Sequence, residues 1–421
     1  MSEAALRITS RATREPLPIA QTAQMVYSIA EIHTPLQPIP ARPMNIVFVV
    51  DRSGSMKGIR LIALKEALRR AVDMLDPEDF CSIVAFDDMV DVLVPSQKTA
   101  DGAVLQNAIG IIEEGGGTMI SLGVSMGLAE LEKHANESFT QRMILIIDGA
   151  SHNDEQYCAD LFAKAAQSGV SIDILGIGAE WDDLLLLKAV SVTGSPLFSF
   201  ITNLPEIEQE LIKRIAAAKL TAAQNIKAQI TCVPGVDLQH ISRVAPQLAV
   251  YEQLKLPEGA AALPLHIGAA AYASRIILLI ETMVEPRKAG SFRLAKISAE
   301  YALPDGTMGL QQADVVVRFS AGVAKRPHTD PLSLYYIQRV NAARIILRAL
   351  QEKASEPVNI SEGILKLYDG EGRELLQMLR SGAIITPEAR KKLLLKTSAL
   401  TMQRPAPVST EREQADYGSS M

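Results

Sequence analysis

Between about residues 43 and 216 the apolar positions alternate between two rhythms. Ile46–Val50 is an unbroken apolar run, as expected of a strand buried on both faces. Ile59–Leu75 then places Leu61, Leu64, Leu68, Val72 and Leu75 on one helical stripe, which Asp76-Pro77 ends. Phe80–Phe86 and Val90–Val94 read as strands joined only by Asp87-Asp88-Met89, a link too short for a crossover, so this pair is antiparallel. Asp101 caps a helix to about Glu113, and a helix from about Ser121 to His134 follows the glycine run. Arg142–Ile147, Ser171–Ile177 and Leu197–Ile201 read as further strands. Between and after them come helices over Glu155–Ser168, Trp181–Val192 and Glu206–Leu220, the first two closed by Gly169 and Gly194. Six strands with alternating helices predict an α/β domain with a doubly wound, mostly parallel six-stranded sheet over residues 43–216.

The flanks follow other patterns. Pro35–Pro43 holds four prolines and marks a boundary. Before it, Ala5–Thr9 and Ala23–Ile32 are strand-like but too short to stand alone, so residues 1–34 need a sheet elsewhere. Residues 219–322 supply one: Ile226–Val233, Val244–Leu254, Ala262–Ala270, Ile276–Val284, Phe292–Tyr301 and Gln311–Phe319 alternate with turn signals such as Pro304-Asp305-Gly306. The expected architecture is a β-sandwich into which the α/β domain is inserted. Residues 330–403 read as a helical domain, whose first helix, Leu332–Glu352, aligns Leu334, Ile337, Val340, Ala343, Ile346 and Leu350. Residues 404–421 lack periodicity and read as a disordered tail.

Composition narrows the function classes. The 421 residues carry a net charge of −6 and no polybasic run, which disfavours nucleic acid and membrane surfaces as partners. Cys81, Cys158 and Cys232 are far apart and form no C-x-x-C pair, so neither a zinc knuckle nor a disulfide framework is indicated. Runs such as Ile276–Ile280 fall far short of the roughly 20 residues that span a bilayer. The acidic start Met1-Ser2-Glu3 has no signal-peptide pattern, so the expected location is the cytoplasm.

The candidate chemistry sits at strand ends. Asp51-Arg52-Ser53-Gly54-Ser55 directly follows the first buried strand, where open α/β sheets place their ligand crevice. Asp51, Ser53 and Ser55 present three oxygen side chains on one tight loop. Thr118, after Gly115-Gly116-Gly117, and Asp148, after Arg142–Ile147, can reach the same spot. An all-oxygen donor set suits a hard cation, Mg²⁺ first, with Mn²⁺ or Ca²⁺ as substitutes. With two carboxylates and three neutral hydroxyls, the site should hold the free ion weakly and leave a position for a partner's carboxylate.

D-x-S-x-S after a strand, a Thr after a glycine run and an Asp-Gly after a later strand resemble the metal-ion-dependent adhesion site (MIDAS) of von Willebrand factor A domains. The resemblance covers about residues 43–216 and extends to the segment Ile174-Leu175-Gly176-Ile177-Gly178. It implies that Ser53, Ser55 and Thr118 ligate the metal, with Asp51 and Asp148 bound directly or through water. Ile147 departs from the pattern, since many members carry Thr there. An A domain with a β-sandwich and a helical tail is similar to bacterial proteins related to inter-alpha-trypsin inhibitor heavy chains. That likeness implies a protein partner, with an AAA+ ATPase, kinase or phosphatase system among the expectations.

Other signals lead elsewhere. Gly123-Val124-Ser125-Met126-Gly127 matches a nucleophile elbow as a string but lacks the preceding strand, so its glycines read as a close helix contact. Asp87-Asp88 and Asp154-Glu155 read as solvated turn and helix-start residues, and His152 as an exposed loop residue. The alternatives to a binding module are a metal-dependent hydrolase or phosphotransferase and a structural scaffold. The enzyme is disfavoured because Ser53 stands where aspartate-nucleophile phosphatases carry a second Asp.

Overall fold

The computed structural model describes residues 6–36, 43–135, 139–148, 154–178, 198–201, 203–246, 248–251, 262–304, 306–322, 330–351, 357–386, 389–390, 392–393 and 396–397. The helix expected over Trp181–Val192, the loop residues Gly149 and His152 and the tail from Arg404 lie outside them.

The chain opens with β1 (Arg7–Ala12), β2 (Leu17–Pro18) and β3 (Gln24–His33). The α/β unit follows, with β4 (Met44–Asp51), β5 (Phe80–Phe86), β6 (Val90–Lys98), β7 (Thr140–Ile147), β8 (Ser171–Ile177) and β9 (Phe198–Ile201). These form one sheet in the order β6-β5-β4-β7-β8-β9, parallel except for β6. β6 runs on through Pro95, past the expected end at Val94. It is an edge strand, where the missing proline N–H removes no ladder bond on its free side.

Helices cover both faces. On one, α1 (Ile59–Asp73), α2 (Gly102–Gly110) and the later helix α5 (Pro205–Lys219) pack Leu64, Leu68, Ile109, Leu211 and Ile215 against Ile46, Phe48 and Val50. On the other, α3 (Ile120–Glu132) and α4 (Glu155–Gln167) pack Val124, Leu131, Cys158 and Phe162 against Val47, Val49 and Leu145. Every residue of β4 is buried, which explains its lack of polar alternation. The string around Ser125 lies within α3, and Ser125 itself is exposed. A Cβ at Gly127 would come within 2.6 Å of Val49 Cγ2, and one at Gly123 within 2.5 Å of Phe86 Cδ1. The two glycines let helix and sheet touch.

The rest of the chain builds two five-stranded sheets from β10 (Thr221–Cys232), β11 (Val236–Ala245), β12 (Ala249–Val250), β13 (Ala262–Ala271), β14 (Arg275–Val284), β15 (Gly290–Ala302) and β16 (Met308–Ser320). Their orders are β1-β3-β14-β11-β12 and β13-β10-β15-β16-β2, so the N-terminal strands complete both sheets across the intervening α/β unit. A shared core joins Ile32, Leu278 and Ile280 of one sheet to Ile230, Ile297 and Val317 of the other. Within the strand expected over Val244–Leu254 fall the end of β11, which begins at Val236 and stops before Pro246, and the two-residue β12, while Glu252–Leu254 lie outside the described residues. The exposed polar residues Asp237, Gln239 and His240 of β11 hid it in the sequence.

α6 (Pro331–Gln351) lies against the outer face of the first sheet, with Tyr336, Val340 and Ala343 against Ile29, Ile277 and Leu279. Leu334, expected on the buried stripe, is 46% exposed, and Tyr336 takes its place in the contact. Ile346 and Leu350 pack instead with α7 (Glu362–Leu365) and α8 (Gly370–Ser381). No described helix is long and apolar enough to cross a membrane.

Candidate metal site

β4 is paired on one side to β5 and on the other to β7, so the C-terminal ends of all three strands meet at one edge of the sheet. Asp51 ends β4, and Asp148 follows β7. Both carboxylates are buried, and the Asp148 N–H donates to Asp51 Oδ2 at 3.3 Å. Asp51 Oδ1 accepts the Ser53 N–H at 2.8 Å, which curls the loop back over the strand end. A short 3-10 turn, Gly54–Met56, then carries the chain toward α1.

The two serine hydroxyls converge. Ser53 Oγ and Ser55 Oγ are 3.0 Å apart, and they donate to Asp148 Oδ1 at 3.3 and 2.6 Å. Asp51, Ser53, Ser55 and Asp148 are therefore joined by direct hydrogen bonds. Thr118, half-buried, lies just before α3 on the adjoining loop. The backbone ties this loop to the first one: Gly54 N–H donates to Gly116 O at 2.9 Å, and Gly115 N–H to Arg52 O at 2.7 Å.

Sequence reading missed what holds that second loop. Asp87 is buried, and its Oδ2 accepts the Gly116 N–H at 3.1 Å while lying 3.4 Å from Arg52 Nε. Its carbonyl accepts the Met119 N–H at 3.0 Å. Asp87 is thus the post on which the Thr118 loop is fixed, and not the solvated turn residue its position suggested. Asp154 is likewise buried, and its Oδ2 accepts the Ser121 N–H at 2.8 Å. Arg60, in the first turn of α1, was missed too; its Nη1 donates to Asp148 Oδ2 at 3.2 Å. Only the fold, not spacing along the chain, brings Arg60 to Asp148.

Electrostatics follow from burial. Loss of solvent pushes the Asp51 carboxyl up to about 6, against hydrogen bonds from Ser53 that lower it, and the neighbouring Asp148 charge raises it further. Burial also raises Asp148, partly offset by hydrogen bonds from Ser55 and Arg60. For Asp87, burial acts upward, but the N–H groups of Met89 and Gly116 and the Arg52 guanidinium outweigh it and leave the carboxyl below its usual value.

Among the described residues no three His, Cys, Asp or Glu side chains cluster closely enough to hold a metal. The donors here are of another kind, two buried carboxylates with hydroxyls between them. That set fits a hard divalent cation, because a cation would offset the desolvation that raises both acids, and oxygen donors match it.

The sequence profile of the von Willebrand factor type A domain matches residues 45–213, the same span that carries the sheet and these loops. The chain carries a von Willebrand factor A domain. An uncharacterized protein of Synechocystis is 26% identical over 368 residues, covering 86% of this chain and 83% of that one. Human inter-alpha-trypsin inhibitor heavy chain H3 is 32% identical over 127 residues, which are 28% of this chain but only 14% of the heavy chain. Among solved structures, a von Willebrand factor type A protein from Catenulispora acidiphila superposes with a TM-score of 0.73 at 18% identity, covering 95% of this chain and 97% of that one. The ArnB paralog VWA2 from Sulfolobus acidocaldarius gives 0.60 at 13% identity, covering 95% and 100%. At such identities the likeness concerns the fold. It extends well beyond the A domain to nearly the whole chain.

Proposed function

We propose that the A domain binds a protein partner through one Mg²⁺ held by Asp51, Ser53, Ser55, Thr118 and Asp148, with an acidic side chain of the partner completing the coordination. The convergence of the Ser53 and Ser55 hydroxyls on Asp148 Oδ1, beside the buried Asp51, carries this reading. Neutral hydroxyls leave the ion electron-poor and eager for another anionic ligand. Mn²⁺ or Ca²⁺ would serve with altered affinity. The site is one of binding and not of catalysis. In the same reading the two five-stranded sheets are a β-sandwich that carries the A domain as an insertion, and the C-terminal helices brace it from outside. An AAA+ ATPase, kinase or phosphatase system is the partner class to examine first, in the cytoplasm.

The test is to compare proteins retained by the tagged chain in Mg²⁺ and in EDTA, alongside an Asp51→Ala, Thr118→Ala double variant. The same variant is titrated with Mg²⁺ by calorimetry. Partners lost both on chelation and in a variant that no longer takes up Mg²⁺ support bridging. Partners retained unchanged in both conditions sink it.

A further inference from the structure

Asp148 divides its two oxygens between different neighbours. Oδ1 receives the hydroxyls of Ser53 and Ser55, whereas Oδ2 receives Arg60 Nη1 at 3.2 Å. The same nitrogen reaches the Ser55 carbonyl at 3.1 Å. The Arg60 side chain is 40% exposed and that of Asp148 0%, so an accessible cation is bound to a buried candidate ligand. The guanidinium lies beside Gly178, the residue just after β8. A Cβ at Gly178, where φ is +82°, would lie 3.4 Å from its Cζ, Nη1 and Nη2.

We propose that Arg60 is an internal counter-cation that competes with the divalent ion for Asp148, keeping the free ion weakly held until a partner's carboxylate arrives. This rests on the metal-bridging reading above. Two cations sharing one carboxylate weaken each other's hold on it. Asp148 does not depend on Arg60 for its place, because burial, its N–H bond to Asp51 and the two hydroxyls already fix it. Removing Arg60 therefore removes charge more than geometry. In the described contacts the guanidinium uses Nη1 alone, and its remaining N–H donors are suited to a carboxylate. An incoming carboxylate meets both cations, so metal and partner strengthen each other's binding.

The experiment is calorimetric titration of Mg²⁺ into the EDTA-stripped full chain, as wild type, Arg60→Gln, Arg60→Lys and Asp51→Ala. Arg60→Gln keeps a donor but loses the charge, and is expected to bind Mg²⁺ about tenfold tighter, within the usual range of site-to-site coupling. Arg60→Lys keeps the charge and stays within about twofold of wild type. Adding acetate, the simplest carboxylate probe, should tighten Mg²⁺ on the wild type more than on Arg60→Gln. If Arg60→Gln binds Mg²⁺ no tighter than wild type, or if acetate acts equally on both, the proposal is overturned and Arg60 is a positioning residue for Asp148. If wild type, Arg60→Gln and Arg60→Lys all fail to bind Mg²⁺, the metal reading itself falls, and this proposal with it.

Discussion

The Asp87 carboxylate fills the space that a side chain at Gly115 would need: a Cβ there would lie 1.7 Å from Asp87 Oδ2. Gly116 and Gly117 are similarly closed off, with Asp88 carboxylate oxygens at 2.5 and 2.2 Å from the corresponding Cβ positions. The glycine run before Thr118 is therefore a contact surface for the β5–β6 turn. Gly115→Ala should displace the loop and weaken Mg²⁺ binding about tenfold or more, in the range found for altered supporting contacts. Far-ultraviolet dichroism should show the fold retained.

Asp87 itself holds charge-assisted hydrogen bonds in a buried position. Asp87→Ala should destabilise the domain by about 1.5–3 kcal/mol, measured by denaturant unfolding in EDTA. A loss below ~0.5 kcal/mol would show that the loop stands without this post.

Burial of Asp51 makes stability depend on pH. Its folded pKa, about 6, lies above the ordinary value of 3.8, so the metal-free fold holds the proton more tightly than the unfolded chain. That contribution to stability is fully present below about pH 4 and is lost as pH rises through about 6. It amounts to on the order of 3 kcal/mol, and under the proposed function Mg²⁺, held by the ionised form, would act in the opposite sense. The difference in Tm between Mg²⁺ and EDTA should therefore be small at pH 5 and grow toward pH 7.5. A difference that is constant across this range would exclude Asp51 as a ligand.

The α3–sheet contact tolerates nothing larger than glycine. Gly127→Val should cost about 1–3 kcal/mol or more by overpacking against Val49 and Met143. Ser125→Ala, on the exposed side of the same helix, should change neither stability nor Mg²⁺ affinity. Calorimetry and thermal melts of the two variants check both statements.

α6 is tied to the sheet by an ion pair of Arg344 with Glu281, supported by a bond from Arg344 to Ser242 Oγ at 3.2 Å. Both side chains are largely buried. Removing one partner, as in Arg344→Met, should cost about 3–5 kcal/mol, because the buried Glu281 charge is left unpaired. Replacing both by apolar residues should cost clearly less. A double-mutant cycle in denaturant measures the difference.

The local signals in the sequence were strong wherever burial was complete on both faces or where a residue type permits only one chemistry. β4, β5, β7 and β8 were legible because apolar, mostly branched residues dominate them over strand length, although Ser82 interrupts β5 and Asp173 interrupts β8. The Asp51, Ser53, Ser55, Thr118 and Asp148 set could be named from the chain because Asp51 and Asp148 fall at strand ends; the fold brings these two together with Ser53 and Ser55, and places Thr118 on the adjoining loop just before α3. Half-exposed elements were harder to read. β11 was misplaced because its exposed Asp237, Gln239 and His240 break the apolar pattern, and the α6 stripe was misjudged because its two ends pack on different cores. Asp87 and Arg60 could not be assigned from the chain at all. Each is an ordinary charged residue near a turn or a helix start, and its role comes from a neighbour 29 or 88 positions away. The sequence alone determined which oxygen donors these loops carry. The tertiary structure decided which charges would be buried together and which side chains would support or oppose them, because those energies depend on distance and solvent, and neither is encoded in local spacing.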